Sequence, residues 1–178
     1  MTTAGIMEIR VAGEKVFIYG THDSYPDGWP ALAIKYLLER GVGDLGEVVN
    51  GVLRQLRDWD FNIHMQTAVW HYYRDWKERE REIRRIVRLD FRQVSETDIP
   101  KNLEKGWDYW YIVDLDSGVI TVRRVKPKVY TDTRGKYIYG EEEITEFYGP
   151  LRDYLSRYIS LNRQQPRKFN NPERAQEP

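Results

Sequence analysis

The run Tyr19 to Trp29 reads Y-G-T-H-D-S-Y-P-D-G-W and holds the densest set of chemically capable side chains in the chain. A His beside an Asp, with two tyrosines and a following helix N-terminus, could supply a general acid or base and a place for an anion. His22 would carry the proton, Asp23 would orient it, and Tyr19 or Tyr25 would donate to bound substrate. The candidate binding set is Tyr19, His22, Asp23, Tyr25, Asp27 and Trp29; a catalytic reading centres on His22, Asp23 and Tyr25. Ser24-Tyr25-Pro26-Asp27-Gly28 is equally good turn chemistry, because Asp and Ser side chains bond their own backbone in such loops. No reaction follows from these residue types alone.

Three other constellations carry weaker chemistry. Asp60, His64, His71 and Asp75 fall within an arc of roughly 60° on a helix at about 100° per residue. That arc lies opposite the apolar stripe Phe61–Met65–Val69–Trp76, so it is expected to face water. One straight helix cannot converge ligands this far apart on one ion. His71 with Asp75 is the remaining half-site, and neither a metal centre nor a cofactor is expected. Asp114/Asp116 and Asp58/Asp60 are D-x-D pairs of the kind that hold Mg²⁺, but such pairs are also common in turns and at helix ends. Arg123, Arg124, Lys126 and Lys128 form the best nucleic-acid candidate, with Tyr130, Tyr137 and Tyr139 near enough to stack on bases. Arg84, Arg85, Arg88 and Arg92 form a second basic cluster, and Arg163, Arg167 and Lys168 a third. Glu141 to Glu146 could instead neutralise the strand-end cations.

These side chains need a scaffold. Residues 6–20 read as a β-hairpin turning at Ala12-Gly13-Glu14, and the loop follows it directly. Pro30 suits a first helical position, the apolar run Ala31 to Arg40 reads as a buried helix, and Gly41 ends it. Gly41-Val-Gly43-Asp-Leu-Gly46 matches G-x-G-x-x-G formally. The dinucleotide fingerprint requires a preceding strand, however, so a C-capping Gly41 and an Asp44/Glu47 capping box explain it better. A second helix carries Leu45, Val48, Val49, Val52, Leu53 and Leu56 on one face. A third is expected from about 62 to 88, with a solvated face of i,i+3 and i,i+4 ion pairs. Tyr109–Leu115 and Val119–Val125 around Asp116-Ser117-Gly118 are a β-hairpin, and residues 129–139 read as a shorter hairpin or an edge strand. A last helix starts at Pro150.

The totals fit one domain: 178 residues, 40% apolar and 31% charged, with 28 basic and 28 acidic residues and no cysteine. Balanced charge removes a global pull toward nucleic acid or membrane, leaving only local patches. The absence of cysteine excludes disulfides, thiol nucleophiles and Cys-containing zinc sites. No stretch reads as a signal peptide or membrane span. A cytoplasmic protein is expected, and Arg, Glu and Tyr without Cys fit a thermophilic source.

Tyr19-x-x-His22-Asp23-x-Tyr25-Pro26-x-Gly28 resembles the Y-x-H-x-D-G-Y-P-x-G signature of a family of small phage, archaeal-virus and prokaryotic proteins of uncharacterised function. Tyr109-Trp-Tyr111-Ile-Val-Asp114-Leu115 is similar to that family's later strand. Here the residue between His and Asp is missing, and Ser24 stands for the usual Gly. The resemblance implies the fold and a mobile-element origin, with the host cytoplasm or the virion as location; it implies no mechanism.

Together these readings predict an α+β fold: residues 1–161 as one antiparallel sheet from an N-terminal and a central hairpin, packed against three or four helices. Residues 162–178 are expected to form a polar, Pro-containing, disordered tail. The leading expectation is a non-enzymatic accessory or structural protein of a virus or mobile element. It would bind nucleic acid or a protein partner through basic strand ends and tail, and would form a homo-oligomer. The alternative is a small hydrolase or nuclease with its site at the His22-Asp23 loop.

Overall fold

Ala12 (φ 51°) and Gly13 (φ 79°) supply the left-handed turn that joins β1 (Gly5–Val11) to β2 (Glu14–Gly20). That hairpin is the N-terminal part of a six-stranded sheet in a computed structural model, which describes residues 3–41, 43–66, 75–99 and 107–162. The remaining strands are β3 (Phe91–Val94), β4 (Tyr109–Asp114), β5 (Val119–Thr131) and β6 (Tyr137–Pro150), in the order β3-β2-β1-β4-β5-β6. The α+β expectation holds, and the two hairpins share one layer. They join through β1 and β4, which pair in parallel from Gly5↔Tyr109 to Arg10↔Asp114; every other pair is antiparallel. A parallel pair needs a long crossover. Here it contains α1 (Trp29–Arg40), α2 (Leu45–Gln66) and α3 (Trp76–Asp90).

The single helix expected over 62–88 is corrected. α2 continues unbroken to Gln66, and α3 begins after Asp75, whose carboxylate caps it by accepting from the Glu78 N–H at 2.7 Å. Residues 67–74, including His71, lie outside the described residues, as does the 163–178 tail. Gly41 follows α1 at φ 80°, and Asp44 accepts from the Glu47 N–H at 3.3 Å, so the glycine-rich stretch joins two helices. The short hairpin expected at 129–139 is the end of a longer ribbon. β5 and β6 pair from Val119↔Pro150 to Thr131↔Tyr137, and the acidic run lies within β6 opposite the basic one.

One face of the sheet, with Met7, Ile9, Ile18, Tyr111, Val113 and Ile120, packs on α1, α2 and α4 (Leu151–Asn162). Ile6 and Phe17 pack on the other face with Ile99 and Trp107. Trp29 at the start of α1 is wholly buried, and its Nε1–H donates to Ser24 Oγ at 2.8 Å. A Cβ on Gly20 would stand 2.6 Å from that indole nitrogen. The ring cannot yield, so Gly20→Ala is expected to destabilise the fold by about 2 kcal/mol, within the range of overpacking. Urea titration checks this, and an unchanged midpoint would contradict it.

Candidate metal centre

Three separate elements deliver four ligand-type side chains to one point. The antiparallel register of β2 and β3 puts Gly20 opposite Phe91, so the next residue of the loop meets the last residue of α3. The Thr21 N–H donates to the Asp90 carbonyl at 3.0 Å, and Thr21 Oγ1 donates to Asp90 Oδ1 at 3.1 Å. Asp60 continues the buried stripe Val48, Val52, Leu56 of α2 in steps of four, and His64 extends it one further turn. The stripe faces the same corner. Ligand atoms of His22, Asp60, His64 and Asp90 all lie within 4.8 Å of one another.

The contacts are short. His22 Nε2 is 3.0 Å from Asp60 Oδ1, and His64 Nε2 is 3.5 Å from the same oxygen and 3.4 Å from Asp90 Oδ2. Asp60 is fully buried, while the side chains of His22, His64 and Asp90 are 22%, 27% and 18% exposed, so the cluster has a partial opening to solvent. The Asp23 carboxylate stands at that opening, 4.0 Å from His22 Nε2, on a residue held at φ 51°. The Trp29 N–H donates to the Asp23 carbonyl at 3.2 Å and helps hold it there.

The hydrogen bonds leave a place for positive charge. The Thr21 hydroxyl has one proton and gives it to Asp90, so at 3.1 Å from His22 Nδ1 it can only accept, which places a proton on Nδ1. The remaining nitrogen, Nε2, then presents a lone pair to the Asp60 carboxylate unless a proton or a metal ion lies between them. Asp60 Oδ2 is buried and receives no N–H or O–H, and the Asp90 carboxyl lies within hydrogen-bonding reach of Asp60. Two carboxylates and two imidazoles in this arrangement are balanced by protons on the imidazoles or by a metal ion that replaces them.

Protonation follows the same logic. Burial pulls the His22 imidazole down, but the hydrogen bond to Asp60 and the charges of Asp60, Asp90 and Asp23 outweigh it, and the pKa rises above the ordinary 6.5. The Asp90 hydrogen bond raises His64 likewise, against burial and the neighbouring His22. Burial pushes the Asp60 carboxyl above its ordinary value, helped by Asp90 and opposed by His22. Asp90 resists its own burial: hydrogen bonds from His64, Asp60 and Thr21 with the His22 charge draw it down to about 2.

Of the six loop residues in the expected binding set, the structure brings His22 and Asp23 to this corner. Tyr19 packs on the opposite face of the sheet, beneath the Arg92 guanidinium. Trp29 is core, and Tyr25 lies edge-on to Tyr109. Asp27 lies near the buried Tyr111 and Tyr154 hydroxyls. The water-facing arc is corrected: Asp60 and His64 point inward, and Asp75 is a helix cap. Asp114 and Asp116 serve turns, accepting from the Asp116 and Ala12 N–H groups respectively. The strand-end cations meet acids across the ribbon, Arg123 with Glu143 at 3.4 Å and Arg124 with Glu146 at 3.8 Å, and Lys126 pairs in register with Glu142. No protein-family model, curated protein or solved structure matches the chain.

Proposed function

We propose that the protein binds one divalent first-row transition ion through His22, Asp60, His64 and Asp90 and uses it for metal-assisted hydrolysis. The observation that carries this reading is the buried Asp60 Oδ2, which accepts no hydrogen bond, in a cluster with a second carboxylate and two imidazoles. Two nitrogen and two oxygen ligands suit Zn²⁺ or Mn²⁺ better than Mg²⁺, which takes oxygen ligands and keeps its waters. Thr21 is the outer partner that orients both His22 and Asp90, the arrangement that sharpens ligand basicity. Held by these four side chains, the ion would lower the pKa of a water on the partly exposed side toward neutrality. Asp23 at the opening would take a proton from that water and return it to the leaving group as the scissile bond breaks. The positive φ of Asp23 is strain of the sort found at functional positions. Binding through the strand ends has less support, since Arg123, Arg124 and Lys126 already face glutamates, although Lys128 pairs with Gly140.

Metal-depleted protein reloaded with Zn²⁺, Mn²⁺ or Mg²⁺ and assayed on chromogenic phosphodiester and carboxylic-ester substrates tests the proposal. Turnover should require Zn²⁺ or Mn²⁺ and vanish in His22→Ala. Asp23→Asn should keep the ion and lose roughly 100-fold or more in rate, the ordinary scale of a general base. Turnover indifferent to metal, or intact in His22→Ala, would overturn it.

A further inference from the structure

Beside the metal corner, α2 and α3 enclose a groove of about 350 Å³ whose floor is Leu53, Phe61 and Val87 and whose rim carries Arg54, Arg57, Arg84 and Arg88. Asp58 is the one acid in its lining. Two of the guanidiniums are held in place: Arg57 donates through Nε and Nη2 to the Phe91 carbonyl at 3.1 and 2.9 Å, and Arg84 lies 4.6 Å over the Phe61 ring while paired with Glu80. Arg54 and Arg88 are exposed and have no ion pair among the described residues. Like charges facing each other across a groove with an apolar floor repel, and an anion seated between them would relieve that repulsion. Planar guanidinium forks match phosphate oxygens two at a time.

The groove is tied to the metal ligands through the chain. Arg57 precedes Asp60 by one helical turn, Arg88 precedes Asp90 by two residues, and the carbonyl that anchors Arg57 belongs to the residue after Asp90. We infer that this groove seats the phosphate of a phosphate ester and so names the substrate class of the metal centre, a step that rests on the hydrolase reading above.

The test separates the two. Fluorescence anisotropy of a labelled short oligothymidylate is measured with metal-depleted protein in EDTA, with thymidine monophosphate and inorganic phosphate as competitors. Wild type should bind, more weakly as salt rises. Arg54→Ala/Arg88→Ala should weaken binding by roughly tenfold or more, and Arg54→Lys/Arg88→Lys should restore only the part that charge alone supplies. Competition by the monophosphate points to a terminal monoester, and competition by unlabelled strand alone to an internal diester; either supports the class. Wild type that binds the probe but no metal would sink the hydrolase reading and leave the groove standing. No binding of any of the three probes, or equal affinity in Arg54→Ala/Arg88→Ala with unchanged circular dichroism, would overturn the inference.

Discussion

Asp60→Asn is expected to make the metal-free protein more stable and to cost it the metal. The amide is isosteric with the carboxylate, so packing of α2 is unchanged. Its oxygen still accepts from protonated His22 Nε2, and its NH₂ can donate to the Asp90 carboxyl, where Asp60 has nothing to donate unless it holds a proton. Where Asp60 Oδ2 faces no donor, the amide's donation to a charged acceptor should add about 1–2 kcal/mol. For a chain of this size that corresponds to roughly 2–8 °C in Tm. Loss of a ligand exceeds the effect of losing an outer-shell partner, so Zn²⁺ affinity should fall by more than about 100-fold. Calorimetry with and without Zn²⁺ reads both. Were Asp60 only a structural ion-pair partner of His22, the substitution would destabilise the protein and leave no metal effect to lose.

The second large effect is a pH profile that the ion inverts. His22 and His64 have folded pKa values raised above 6.5, so their stabilisation is complete below 6.5 and is lost as pH rises through the raised values. Asp60, raised above 3.8, shifts stability in the same direction at lower pH. Asp90 runs the other way: its contribution is present above 3.8 and disappears only as pH falls through about 2. Metal-free protein should therefore hold its best stability in mild acid and weaken upward from about neutrality. A metal ion needs both imidazoles unprotonated and both carboxylates charged, so Zn²⁺ should stabilise more as pH rises through the same window. At a hundredfold excess over Kd the gain is about 2.7 kcal/mol. Thermal melts across pH, with EDTA and with Zn²⁺, should give curves of opposite slope; parallel curves would argue against bound metal.

Part of the site was legible in residue types. His22 and Asp23 stand out in a polar loop between a strand and a helix, and that loop is where the centre lies. Asp60 was legible too, since Val48, Val52, Leu56 and Asp60 continue one four-residue spacing. A helix boundary near residue 60 would cut that stripe and turn its polar end toward water, whereas α2 runs on to Gln66. Asp90 gave no signal. It reads as the last residue of a charged helix, and its place beside Thr21 follows from the pairing of β2 with β3, a four-residue strand without clear alternation. The central hairpin was plain from its β-branched and aromatic runs, whereas its continuation past Arg124 was hidden by Pro127. Beyond Arg124, β5 has β6 as its registered neighbour and no β4 partner, so the missing N–H of Pro127 falls on the open side and breaks no ladder bond. Which strands become neighbours is a long-range outcome, and the parallel β1–β4 junction is written in no local pattern.

The most direct measurement is anomalous diffraction at the zinc absorption edge from crystals grown with Zn²⁺. One strong peak is expected, bounded by His22, Asp60, His64 and Asp90, with ligand distances of roughly 2.0–2.2 Å. An empty corner in a crystal that holds zinc elsewhere, with Asp60 and Asp90 sharing only a proton, would contradict it.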